Sequence, residues 1–156
     1  MDAKLEGLLK MGFEATYTRE RLDEPFSIRQ DGEIATVADV LREFGTDEVR
    51  AAFGLPKPDG TQSVKSVNVL TEDEWARLTV MMYESEGDGV ALSSGSKTYS
   101  MKDVIEEVRQ RTPFGRETIE ATKRHSQLVE EAIRRGKAKL IVAEALEDID
   151  TILKDF

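Results

Sequence analysis

His125 is the only histidine in this chain, and there is no cysteine. Disulfides, Cys-based zinc sites and thiol catalysis are therefore excluded, and acid–base chemistry has few residue types to draw on. A general base or metal ligand needs a carboxylate or second ligand close by. His125 instead stands between Lys123-Arg124 and Ser126-Gln127, where neighbouring positive charge disfavours both protonation and metal binding. A Glu-x-x-His pair is absent, since Glu120 is five residues away. Glu84-x-Glu86-x-Asp88-Gly89 places acidic groups at the first, third and fifth positions of a calcium loop and glycine at the sixth. The twelfth position, which should supply a bidentate Glu, is Gly95. Gly95-Ser96-Lys97-Thr98 has the residue types of a phosphate loop without its spacing, and Ser93, Ser94 and Ser96 have no base to activate them. No metal or cofactor is expected, and an enzyme would have to rely on carboxylates assembled by folding.

Charge offers a different kind of chemistry. The chain carries a net charge of −9, distributed as −8 over residues 1–100, +3 over 101–140 and −4 over 141–156. Overall acidity opposes indiscriminate binding to nucleic acid or anionic lipid. Arg109, Arg111, Arg116, Lys123, Arg124, Arg134 and Arg135 nevertheless form a basic stretch that would suit phosphate contact, with a helix-turn-helix-like break at Thr112–Gly115. Glu117, Glu120, Glu130 and Glu131 interleave with these cations, so pairs such as Glu120–Arg124 and Glu130–Arg134 offer a plainer use for them.

The last fifteen residues have the opposite character. Val142, Leu146, Ile149, Leu153 and Phe156 alternate at spacings of four and three, which predicts a helix with one apolar seam. Glu144, Glu147, Asp148, Asp150 and Asp155 flank that seam. An apolar stripe edged with carboxylates suits docking on another helix, of the same chain or of a partner.

The elements that would position these groups follow a pattern written twice. Thr36-Val-Ala-Asp39 and Ser100-Met-Lys-Asp103 each begin with a hydroxyl cap, carry an acid three residues later, and continue into apolar residues at helical spacing. Upstream of each, a turn at Asp31-Gly32 or Ser94-Gly95 separates two short apolar stretches, which predicts a hairpin followed by a capped helix. Further helices are expected over residues 2–12, from Thr46 to Phe53, from Thr71 to Glu84 and from Pro113 to Arg135. Leu55–Gly60 must be a loop, Val64, Val67 and Val69 predict an extended segment, and residues 85–97 suit a mobile loop or junction.

The expected fold is α+β and predominantly helical, with short strands and hairpins in the first hundred residues and three C-terminal helices. The expected division is a mixed region over 1–97 and a helical region over 98–156, or one compact domain. No apolar run is long enough to span a bilayer, and the acidic, polar start does not resemble a signal peptide, so the expected location is cytoplasmic. The expected function is a non-enzymatic protein-interaction or regulatory module docking through Val142, Leu146, Ile149, Leu153 and Phe156, to a protein partner or a second copy. The alternative is a nucleic-acid-associated factor using the basic helices, and third comes an enzyme with a carboxylate-based site.

Overall fold

Five of the six helices described begin where a hydroxyl side chain caps them. The computed structural model describes residues 3–60, 63–86, 91–94 and 97–141. Within them Ala3–Lys10 forms α1, Val37–Phe44 α2, Asp47–Phe53 α3, Glu72–Glu86 α4, Met101–Gln110 α5 and Pro113–Arg134 α6. The hydroxyl of Thr36 accepts from the Asp39 amide while the Asp39 carboxylate accepts from the Thr36 amide, and Ser100 and Asp103 repeat the arrangement at α5. Thr71 and Glu74 do the same at α4. Thr46 and Thr112 cap α3 and α6 through single bonds to Val49 and Gly115. These bonds satisfy amides that a helix start otherwise leaves open.

The strands are short. Ala15–Tyr17 (β1) pairs in parallel with Ala138–Leu140 (β6), Pro25–Ile28 (β2) is antiparallel to Ile34–Thr36 (β3), and Ala91–Ser94 (β4) is antiparallel to Lys97–Ser100 (β5). Gly32 turns the β2–β3 hairpin with φ of 89°, a backbone angle other residues rarely adopt. The doubled pattern is therefore real as local structure: hairpin, capping-box helix, then a threonine-capped helix, once as β2-β3-α2-α3 and again as β4-β5-α5-α6.

The mixed α+β architecture matches expectation. Of the three expected C-terminal helices, α5 and α6 are present, and the third falls on residues 142–156, outside those described. Three elements were not foreseen: β1, the 3-10 turn Arg19–Asp23 that follows it, and β6, which returns the chain beside β1 before the C-terminal segment begins. The Val64–Val69 segment is a correction: Val64 makes one bridge to Arg29, after which Val67–Val69 coils into a 3-10 turn capped by the Ser66 hydroxyl. Val64 and Val67 are wholly buried whereas Val69 is exposed, so the apolar spacing records burial in a turn rather than one face of a strand.

One apolar cluster joins the two expected regions. It runs from Leu5 and Leu9 through Phe26, Ile28, Val40, Leu41, Phe53, Trp75 and Leu78 to Val108, Val129 and Ile133. The long α6 packs against α1, α2, α4 and α5, so it serves as the axis around which both hairpin–helix units are arranged. Tyr99 of β5 stacks on Phe114 of α6 with ring centroids 4.1 Å apart and planes 9° from parallel.

Lys65 ties the 63–70 segment to α4 by donating to Glu74 at 2.9 Å. That bond, followed by the Thr71 amide, holds the Glu74 carboxyl below its ordinary value of 4.5 against partial burial. Because the folded state favours the ionised form, this contribution is complete above the unfolded value and is lost as pH falls through the folded one. Lys65→Met should therefore flatten the acid side of the stability curve, measured as thermal midpoints from about pH 6 down to about pH 3. An unchanged acid limb would count against it.

Candidate functional site

Helices α4 and α5 lie against each other and leave two adjoining depressions between them. One, of about 470 Å³, is floored by Tyr83, Met101 and Ile105, and the other, of about 500 Å³, by Ala76, Val80 and Met81. Glu84 and Arg109 line both and form an ion pair of 3.2 Å, so a charged bridge crosses an otherwise apolar groove. Cations Arg77, Lys102 and Arg111 and carboxylates Asp73, Asp103 and Glu106 edge it.

The repeated hairpin–helix unit explains why apolar side chains remain open there. Val37, Val40 and Phe44 of α2 correspond to Met101, Val104 and Val108 of α5, and all six are buried. Leu41 corresponds to Ile105. Leu41 is completely covered, with the Arg19–Asp23 turn packed on α2, whereas Ile105 is only partly buried and lines the groove. That one position is closed in the first copy and partly exposed in the second.

The basic residues singled out in the sequence are mostly engaged within the fold. Arg109 pairs with Glu84, Arg111 with Asp73 at 3.1 Å, and Lys123 with Glu72 at 3.9 Å. Arg134 pairs with Glu130 at 3.3 Å and lies over the Phe44 ring, 4.2 Å from its centroid. Arg135 bridges Glu6 and Glu131 at 3.0 and 2.9 Å. Among the described residues, Arg116 and Arg124 are the two of the seven with no ion pair, and both are exposed. Most of these partners come from α1 and α4, so the pairing depends on tertiary packing. The Glu130–Arg134 pair was visible as an i, i+4 spacing, but Glu120–Arg124 does not form an ion pair. The seam residues Val142, Leu146, Ile149, Leu153 and Phe156 lie outside the described residues.

His125 is on the outer side of α6, where surrounding protein mass, then the Arg21 charge, push its pKa below the ordinary histidine value. The direction agrees with the sequence reading, but the cation responsible sits on the Arg19–Asp23 turn and not on α6. Burial pushes the Tyr17 hydroxyl up to about 12, so it stays neutral beneath Arg21, whose guanidinium lies 5.0 Å from the ring centroid. Glu84 and Glu86 of the calcium-like spacing end α4, while Asp88, Gly89 and Gly95 lie outside the described residues. Among the described residues no three His, Asp or Glu side chains converge to hold a metal, and no helix is long and apolar enough to cross a membrane.

No protein-family model matches the sequence, and no curated protein or solved structure matches it.

Proposed function

We propose that this protein is a non-enzymatic interaction module that self-associates, the apolar seam of residues 142–156 from one copy lying in the α4–α5 groove of another. The observation that carries this reading is the partly exposed Ile105, which lines the groove with Met101 and Tyr83 at the helical position where Leu41 is fully buried in the first copy. A groove with an apolar floor and charged edges takes an amphipathic helix through anchors at i, i+4 and i+7. Val142, Leu146 and Ile149 carry that spacing, continued by Leu153 and Phe156. The acidic flanks of the seam would meet Arg77, Lys102 and Arg111 at the groove edge.

Nucleic-acid contact through the basic helices is the weaker reading, because five of its seven cations are already matched to carboxylates. Light scattering coupled to size exclusion tests both. The expected result is a multiple of the monomer mass for the full chain. Leu146→Asp with Leu153→Asp, and separately Ile105→Asp, should return it to a monomer with unchanged helical content. A monomer at every concentration, or variants that keep the wild-type mass, would overturn self-association. Excess mass with nucleic-acid absorbance that disappears at high salt would favour the alternative.

A further inference from the structure

A second cleft, of about 370 Å³, lies on another part of the molecule, between α2, the end of β2 and the loop of residues 56–59. Arg29, Arg42 and Lys57 line it together with Pro56 and Pro58. The two arginines are held side by side by one carboxylate. Arg29 donates to Asp39 Oδ2 at 2.8 Å, and Arg42 approaches Asp39 Oδ1 at 3.6 Å. Asp39 is fixed in turn, because the same Oδ2 closes the capping box of α2 by accepting from the Thr36 amide at 3.0 Å.

Glu43 stands beside Arg42 at 3.8 Å but is committed elsewhere. Its two oxygens accept from the Ser63 amide at 2.7 Å, the Ser63 hydroxyl at 2.8 Å and the Val64 amide at 3.2 Å, with only 4% of the side chain exposed. Distances of 3.6 and 3.8 Å are too long for hydrogen bonds. Arg42 is therefore attracted to two carboxylates without donating to either, and most of the Arg29 donors are unspent as well. Each arginine side chain is about one-third exposed, at 34% for Arg29 and 33% for Arg42, and lines the cleft. Asp39, Glu43 and Asp59 keep the neighbourhood near neutral, so its preference rests on oriented donors and not on net charge.

We propose that this cleft binds a phosphate group, taken as free phosphate or as a small phosphate monoester. Two guanidinium planes anchored by a shared carboxylate offer paired N–H donors to the oxygens of a tetrahedral anion. Lys57, which lines the same cleft, adds a point charge from a loop that Pro56 and Pro58 stiffen.

The test titrates the full chain with inorganic phosphate while following the Nε–Hε signals of the arginines by NMR, against sodium chloride at matched ionic strength. Saturable shifts at Arg29 and Arg42 that chloride does not produce are expected. Arg42→Gln should weaken binding about tenfold or more, Lys57→Gln should weaken it by less, and neither should move the thermal midpoint appreciably. A parallel titration with glycerol phosphate separates the sources: tighter binding assigns the site to monoesters, and equal or weaker binding assigns it to free phosphate. Shifts that never saturate, that chloride reproduces, or that keep the same affinity in Arg42→Gln would overturn the proposal.

Discussion

Gly115→Ala is expected to destabilise the fold by about 2–3 kcal/mol, although alanine is the better helix former by about 1 kcal/mol. Gly115 sits in the first turn of α6, at the closure of the α5–α6 hairpin. Arg111 ends α5 with φ of 55°, Thr112 caps α6, and Pro113 starts it with the ring already at a helical angle. The Thr112 amide and hydroxyl both reach back to the Glu107 carbonyl, and that hydroxyl also bonds the Glu107 carboxylate. A Cβ on Gly115 would fall within contact distance of the same carbonyl oxygen and 2.9 Å from the Val108 amide nitrogen. These are backbone atoms, so relief requires α5 and α6 to separate and Val108, which is fully buried, to move with them. Gly7 in α1 supplies the control. Its Cβ would meet nothing within 4 Å, so Gly7→Ala should be neutral or stabilise by up to about 1 kcal/mol. Urea unfolding of the two variants checks the opposite signs. A stabilised Gly115→Ala would mean that the hairpin does not close as tightly as described.

Gly115 also illustrates where local reading stops. Thr112-Pro113 announces a helix start from residue types alone, and all three capping boxes and the Asp31-Gly32 turn depend on interactions within four residues. Those features were legible for that reason. The close approach at Gly115 depends on how two helices are joined, and glycine in a helix carries no mark that separates close packing from mere tolerance. The same limit applies to β1 and β6. Three residues each, more than a hundred positions apart, they become strands only because α6 brings them together. The groove was hidden as well. Ile105 and Leu41 hold equivalent places in the repeated pattern, and α6 packs on both helices, so the packing of the Arg19–Asp23 turn on α2 is what distinguishes them. Basic residues read as a phosphate-facing stripe turned out to be matched by Glu6, Glu72, Asp73 and Glu84, none of which is on the same helix.

Glu130→Ala is expected to cost about 3–5 kcal/mol, a large part of the 5–15 kcal/mol that holds an ordinary domain folded. The pairing with Arg134 was legible as a helical i, i+4 spacing, and such pairs at a surface contribute only a few tenths of a kcal/mol. Glu130 is not at the surface: it is 1% exposed and faces the segment that crosses beneath α6. Its carboxylate accepts from the Ser66 hydroxyl at 2.6 Å and from the Val67 amide at 2.9 Å. Ser66 in turn accepts from the Asn68 amide, so one carboxylate organises the whole 3-10 turn of Val67–Val69. Arg134 completes the set by bonding Glu130 at 3.3 Å while covering Phe44 of α2. Alanine would leave the buried Val67 amide without an acceptor and open a cavity in its place, two penalties that add. Glu130→Gln keeps the volume and one carbonyl acceptor, so its loss should be roughly half as large. Arg134→Gln removes the most exposed partner and its cover over Phe44 but leaves the carboxylate bonded to Ser66 and Val67, and should cost least. Urea midpoints in the order wild type, Arg134→Gln, Glu130→Gln, Glu130→Ala are the expected outcome. If Glu130→Ala proved no worse than Arg134→Gln, the carboxylate would be acting as a surface pair and the 63–70 segment would be held by its apolar contacts and by its bonds to Glu43 and Glu74.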